Sequence, residues 1–251
     1  MNHSIEQMMT FITEEADSLK KNLASPLLDR NYWRKPELGD VLKGDDSTDL
    51  IYHAIGFALT QWELVENTLV QMYFVFCELE STASLNAIRR SFGTFESSAG
   101  RRLATIEAAK VYFGEDVFST GAAKPFKKFF DAHQEATKRR NDIAHGTAYP
   151  IVINNESKGC FLFPSQYNTG RNSTFFASEG GINTPYMTET YRYNSDVIYS
   201  FAKKFGELNA LAFNFLLAAN KINGVPKIVL ADVAAKKSDF FKLNSNVKMI
   251  T

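Results

Sequence analysis

Apolar residues recur at helical spacing over much of the chain, and the two longest stretches of this pattern predict two long helices. Over residues 49–79, Ile55, Leu59, Trp62, Val65, Leu69, Met72 and Phe76 return every three or four positions, which places them on one face. Over residues 195–220, Val197, Phe201, Phe205, Leu208, Leu211, Phe215 and Leu216 do the same. Shorter helices are predicted over 84–92, over 97–113 with Gly114 as the stop, and from Lys124 or Pro125 to Gly146. Proline suits a first helical turn because its missing N–H would have no partner there. Gly146 can adopt the left-handed conformation that closes a helix. Ahead of these lies a predicted helix over 4–23, with Ser4 as cap and Gln7 three residues on. Residues 24–47, with Pro26, Pro36, Gly39 and Gly44, read as a loop.

After Pro150 the period changes. Residues 151–153, 160–163, 172–177 and 188–193 are β-rich runs separated by turn formers such as Asn154-Asn155 and Gly180-Gly181. The predicted fold is therefore mainly α, a helical bundle with a small antiparallel β insertion at about 150–193, before the last long helix. Its parts are an N-terminal helix and loop (1–48), a helical domain (49–224) and a C-terminal tail (225–251) that carries no clear pattern. Neither an internal repeat nor a low-complexity segment interrupts it.

Composition narrows this picture only slightly. With 45% hydrophobic and 13% aromatic residues the chain has material for one sizeable core. Lys+Arg and Asp+Glu both number 28, so net charge argues neither for nor against an anionic partner. The distribution is more informative: residues 89–142 hold eleven Lys or Arg against seven Asp or Glu, whereas residues 1–50 hold six against ten. Those basic residues suit solvated helix faces and a phosphate-binding surface equally well. The early Glu6, Glu14, Glu15 and Asp17 are unlike a secretion signal, and the most apolar stretches fall short of the roughly 20 residues that span a bilayer. No membrane association and a cytoplasmic location are expected, with Cys77 and Cys160 as reduced packing residues and Asn172-Ser173-Thr174 as a turn rather than a glycosylation site.

The segment that points to chemistry runs from Lys138 to Gly146, at the end of the predicted helix from Lys124. Phe126, Phe129, Phe130, His133 and Thr137 share one face at about 100° per residue, and Arg140 continues that stripe. Asn141 and His145 are four apart and adjacent on the helix surface, just beside the stripe. Arg140 and His145 lie about 140° apart in an ideal helix, so the Arg side chain must bend, or the last turn distort, for both to meet one ligand. A guanidinium offers a permanently charged planar fork of donors, suited to holding a scissile phosphate. An imidazole titrates near neutrality and can take the proton of a ribose 2′-hydroxyl, which then attacks the neighbouring phosphorus without a metal. The dipole at a helix C-terminus favours the imidazolium form of His145. Asn141 could orient the imidazole or contact the ribose.

Arg140-Asn141-x-x-x-His145 on the late part of a helix resembles the Arg, polar residue, three variable residues, His signature of HEPN domains. The setting is similar too: a long aromatic-rich helix bearing Trp62, Glu63 and Glu66 precedes the motif helix and another long helix follows, so the resemblance covers roughly residues 49–220. It implies a compact bundle of four or five helices and a metal-independent RNA endonuclease of a toxin–antitoxin, antiphage or RNA-processing system. Family members usually dimerise so that two motifs flank one cleft. The resemblance thus implies RNA as substrate, a homodimer, and an antitoxin or other defence-system protein as partner. Arg140, Asn141 and His145 are the expected catalytic residues, supported by Glu66, Glu63 and Arg139, with Glu66 as a counter-charge orienting Arg140.

Other readings remain open at this point. Arg140 could pair with Glu63 or Glu66 purely to hold the bundle, with His145 capping its helix. A HEPN-like module without catalysis could bind RNA, a nucleotide or a protein partner, and an assembly subunit could use the motif for packing alone. No cofactor and no metal are expected, because His3, His53 and His133 lack paired ligand spacing and no His-Glu-x-x-His occurs. The segment 93–101 lacks the Gly-Lys-Ser/Thr ending of a phosphate loop, and Ser91 and Ser98 lack the Gly-x-Ser-x-Gly setting of a hydrolase nucleophile. Phe175-Phe176 and Tyr191-x-Tyr193 could stack bases only where exposed.

Overall fold

The structure, a computed structural model, describes residues 24–37, 43–78, 81–119, 123–153, 155–165 and 190–223. The predicted N-terminal helix, the β-rich run at 172–177 and the tail after Pro226 lie outside these residues. Among the described residues the fold is mainly helical: α1 (Thr48–Phe76), α2 (Thr82–Gly93), α3 (Ser98–Phe113), α4 (Glu115–Ser119), α5 (Lys124–Ala144) and α6 (Ser195–Asn223). One antiparallel pair, β1 (Gly146–Ile153) and β2 (Glu156–Pro164), stands between α5 and α6. No helix among the described residues is long and apolar enough to cross a membrane.

Local chemistry sets the helix boundaries. Ser81 accepts the Ser84 N–H at 3.1 Å and Ser97 that of Gly100 at 3.0 Å, each meeting an N–H that lacks a partner within its helix. Gly114 closes α3 with φ +85°, a conformation open to glycine at little cost. The start of α6 is held from a distance. Asp45 accepts the Ser195 N–H at 2.7 Å and the Ser195 hydroxyl at 2.6 Å, while Asn194 accepts the Val197 N–H at 3.1 Å.

α1 and α6 pack along each other, with α3 and α5 against α1, and the core between them is aromatic. Trp62 meets the edge of Phe205 at 5.3 Å between ring centres, Phe126 meets Phe215 at 5.1 Å, and Phe113 meets Phe126 at 4.9 Å. Such pairs add about 0.5–1.5 kcal/mol to the burial of their area. Two features were not predicted. The short helix α4 sends Phe118 into the core, and the segment read as a loop forms 3-10 turns at Pro26–Leu28 and Arg30–Trp33. Leu27 and Trp33 are buried in the common core, where Trp33 stacks on Phe205 at 6.1 Å and donates to the Leu27 carbonyl at 2.9 Å.

Gly146 departs from its expected role. His145, at φ −116° and ψ 14°, ends α5, and Gly146 is the first residue of β1 rather than a left-handed cap. What requires glycine there is space: a Cβ would lie 2.6 Å from Leu162 Cγ and 2.9 Å from the Phe163 carbonyl oxygen. Since the second obstacle is backbone, Gly146→Ala is expected to destabilise the fold by about 1–3 kcal/mol, read as a lowered denaturation midpoint. β2 is the centre of the β element. It pairs with β1 on one edge, and on the other Cys160 exchanges hydrogen bonds with Asp45 and Leu162 with Tyr193.

Candidate active site at the end of α5

α5 is amphipathic, and its two faces place the motif. Phe126, Phe129, Phe130 and His133 are buried, Thr137 is half-buried, and Arg140 continues that side half-buried. Lys127, Gln134 and Lys138 are exposed on the opposite side, and the same stripe runs on through half-buried Asn141 to exposed His145. Its lysines meet acidic neighbours in solvent, Lys127 with Asp131 at 3.1 Å and Lys138 with Glu135 at 2.8 Å, which contributes little to stability.

Asn141 ties the motif together. Its side-chain carbonyl Oδ1 accepts a hydrogen bond from Arg140 Nη1 at 3.1 Å, and its backbone carbonyl accepts the His145 N–H at 3.1 Å. Arg140 Nε is buried and has no hydrogen-bond partner among the described residues. His145 is anchored through its backbone on both sides, because its carbonyl accepts the Ser165 hydroxyl just after β2. The imidazole therefore sits on an exposed residue whose main chain is fixed. The five-residue spacing still separates the directions of Arg140 and His145 by about 140° around the helix.

The supporting residues divide. Glu63 is exposed. Glu66 is buried, but it meets Ser98 Oγ at 2.5 Å, Arg101 Nη1 at 3.3 Å and His133 Nε2 at 3.6 Å, in place of the expected pairing with Arg140. Helix geometry supplies the reason: His133 and Arg140 are seven residues apart, about 10 Å along the axis, and Glu66 faces the His133 level. Burial by itself would raise the Glu66 carboxyl, but His133, Ser98 and Arg101 outweigh it and hold the group at about 2. Arg139 is the more buried of the two motif arginines. It pairs with Asp142 at 3.3 Å.

The meeting of Asp142 with Tyr191 and Tyr193 at this helix end is what the sequence reading missed. Tyr193 donates to Asp142 Oδ2 at 3.4 Å and Tyr191 to the Asp142 backbone carbonyl at 2.8 Å. Both rings are wholly buried, so the base-stacking surface considered for Tyr191-x-Tyr193 is absent there. The signals available were the i, i+3 spacing of Arg139 and Asp142 and the alternation of the tyrosines, but nothing local links positions about 50 residues apart.

Chemically, the end of α5 offers a partly desolvated guanidinium, an amide bonded to it and an exposed imidazole. That set can bind an anion and move a proton. Among the described residues no group of three or more His, Cys, Asp or Glu is placed to hold a metal ion. No family model, no curated protein and no solved structure matches the chain.

Proposed function

We propose that the chain is a metal-independent RNA endonuclease of HEPN type, working in a toxin–antitoxin or antiphage system. The observation that carries this reading is the coupling of Arg140 and His145 through Asn141 at one helix end, with the imidazole in reach of solvent. The Nε of Arg140, buried and without a hydrogen-bond partner among the described residues, adds weight, because a buried charged donor left unpaired is costly and a phosphate oxygen would relieve it.

His145 takes the proton from a ribose 2′-hydroxyl as that oxygen attacks the adjacent phosphorus. Arg140 holds the non-bridging oxygens and stabilises their growing charge. Asn141 keeps the guanidinium aimed. The bond to the 5′-oxygen breaks and that oxygen takes a proton from water, leaving a 2′,3′-cyclic phosphate and a 5′-hydroxyl, while the protonated His145 returns its proton to solvent. The wide angle between Arg140 and His145 is met by a homodimer in which two motifs line one cleft, each supplying groups to the same phosphate.

Purified protein incubated with RNA in excess EDTA is expected to release fragments with 2′,3′-cyclic phosphate ends, identified by mass spectrometry. Fragments with plain 3′-hydroxyl ends would contradict the mechanism. RNA retained without turnover under all conditions would move the assignment to a binding module that lacks catalysis.

A further inference from the structure

α5 ends in a buried polar cluster that the cleavage chemistry does not use. Arg139 and Asp142 are 8% and 4% exposed, and charged residues at that depth are rare unless paired. The Asp142 carboxylate takes Arg139 on one side and the Tyr193 hydroxyl on the other. Tyr191 donates to the Asp142 carbonyl, one of the last helix carbonyls, which lack a partner within the helix itself. The two tyrosine rings stack at 4.7 Å between centres, and Lys35 Nζ lies 5.1 Å from the Tyr191 ring centre. Burial pushes the Tyr193 phenol up and Asp142 adds to that, while Arg139 opposes it, so the hydroxyl stays a donor.

The same cluster is fastened to the β element. Tyr193 exchanges backbone hydrogen bonds with Leu162 at 2.7 and 3.0 Å, and three residues further along β2 and its exit Ser165 donates to the His145 carbonyl. The last turn of α5 is thus gripped from two directions, at Asp142 by the tyrosines and at His145 by the chain leaving β2. An ion pair buried here is a poor source of net stability compared with apolar packing, which leaves orientation as the property it supplies.

We infer that Arg139, Tyr191 and Tyr193, acting through Asp142, are positioning residues that hold the last turn of α5 in one orientation and so aim Asn141 and His145. The functional half of this inference rests on the nuclease reading; the structural half does not. Helix ends fray readily, and a reacting group misplaced by about 1 Å costs on the order of a hundredfold in rate.

The test compares wild type with the double variant Tyr191→Phe, Tyr193→Phe, which keeps both rings and removes both hydroxyls. Amide hydrogen exchange at Ala144 and His145 is expected to rise about tenfold while core amides of α1 such as Leu69 keep their rates. RNA cleavage is expected to lose about tenfold in kcat with KM within about twofold. Unchanged exchange at Ala144 and His145 overturns the inference, whatever the cleavage data say. Exchange raised throughout the bundle overturns it too, since the hydroxyls would then serve stability alone. A local rise in a protein whose wild type cleaves no RNA upholds the clamp and removes the nuclease reading. Should the double variant fail to fold, Tyr193→Phe alone carries the same measurement.

Discussion

His145→Ala is expected to lower single-turnover RNA cleavage by about a thousandfold while leaving the fold intact. The size follows from the general-base role proposed for His145, since such a group contributes about 10²–10⁴ in rate. Fold retention follows from how the residue is held. The residue is exposed, and its bonds to Asn141 and Ser165 are made by its N–H and carbonyl, which alanine also has. Stability should therefore change by no more than about 0.5 kcal/mol. Arg140→Lys provides the companion case. Lysine keeps the charge but loses the planar fork, which bonds Asn141 and in the proposed mechanism also the phosphate, and about a tenfold to hundredfold loss in rate is expected. Cleavage by His145→Ala at the wild-type rate would remove His145 from the mechanism.

The second large effect concerns stability. Glu66→Ala is expected to cost about 3–5 kcal/mol, since it leaves wholly buried His133 and half-buried Arg101 without their shared carboxylate. Glu66→Gln retains an acceptor for Ser98 and should cost less. The pH dependence has a definite sign. The folded-state carboxyl is held at about 2, below its ordinary value, so unfolding takes up a proton as the medium becomes acidic. Its contribution is complete above about pH 5 and drains away as the pH falls toward 2. Urea denaturation from pH 7 to pH 3 should show wild type losing stability more steeply than Glu66→Gln. Parallel curves would mean that the carboxylate has no special hold in the folded state.

Both effects begin in patterns a reader of the sequence can see, though not equally well. α1, α5 and α6 were legible because Trp62, Phe129 and Phe205 belong to periodic apolar faces, which burial enforces directly. The antiparallel pairing of β1 with β2 was legible in the sequence because the turn formers Asn154-Asn155 stand between two β-rich runs. α4 escaped because five residues are too few to display a period, and Trp33 because a proline-containing segment gives no sign of sending one large ring into a distant core. At the site, the half-buried position of Arg140 and the neighbouring Asn141 and His145 followed from helical geometry alone. The partners of Glu66 and of Asp142 did not. They depend on which helix levels face each other and on a tyrosine pair returning after the β element, facts of tertiary packing that local spacing does not encode.

In the proposed mechanism the nucleophile is a ribose hydroxyl activated by His145. A short RNA with one mapped cleavage position, remade with a single 2′-deoxy sugar on the 5′ side of that bond, isolates the claim. The wild-type protein is expected to leave that bond intact while still cutting the all-ribose strand. Cleavage of both strands at the same position and rate would contradict it.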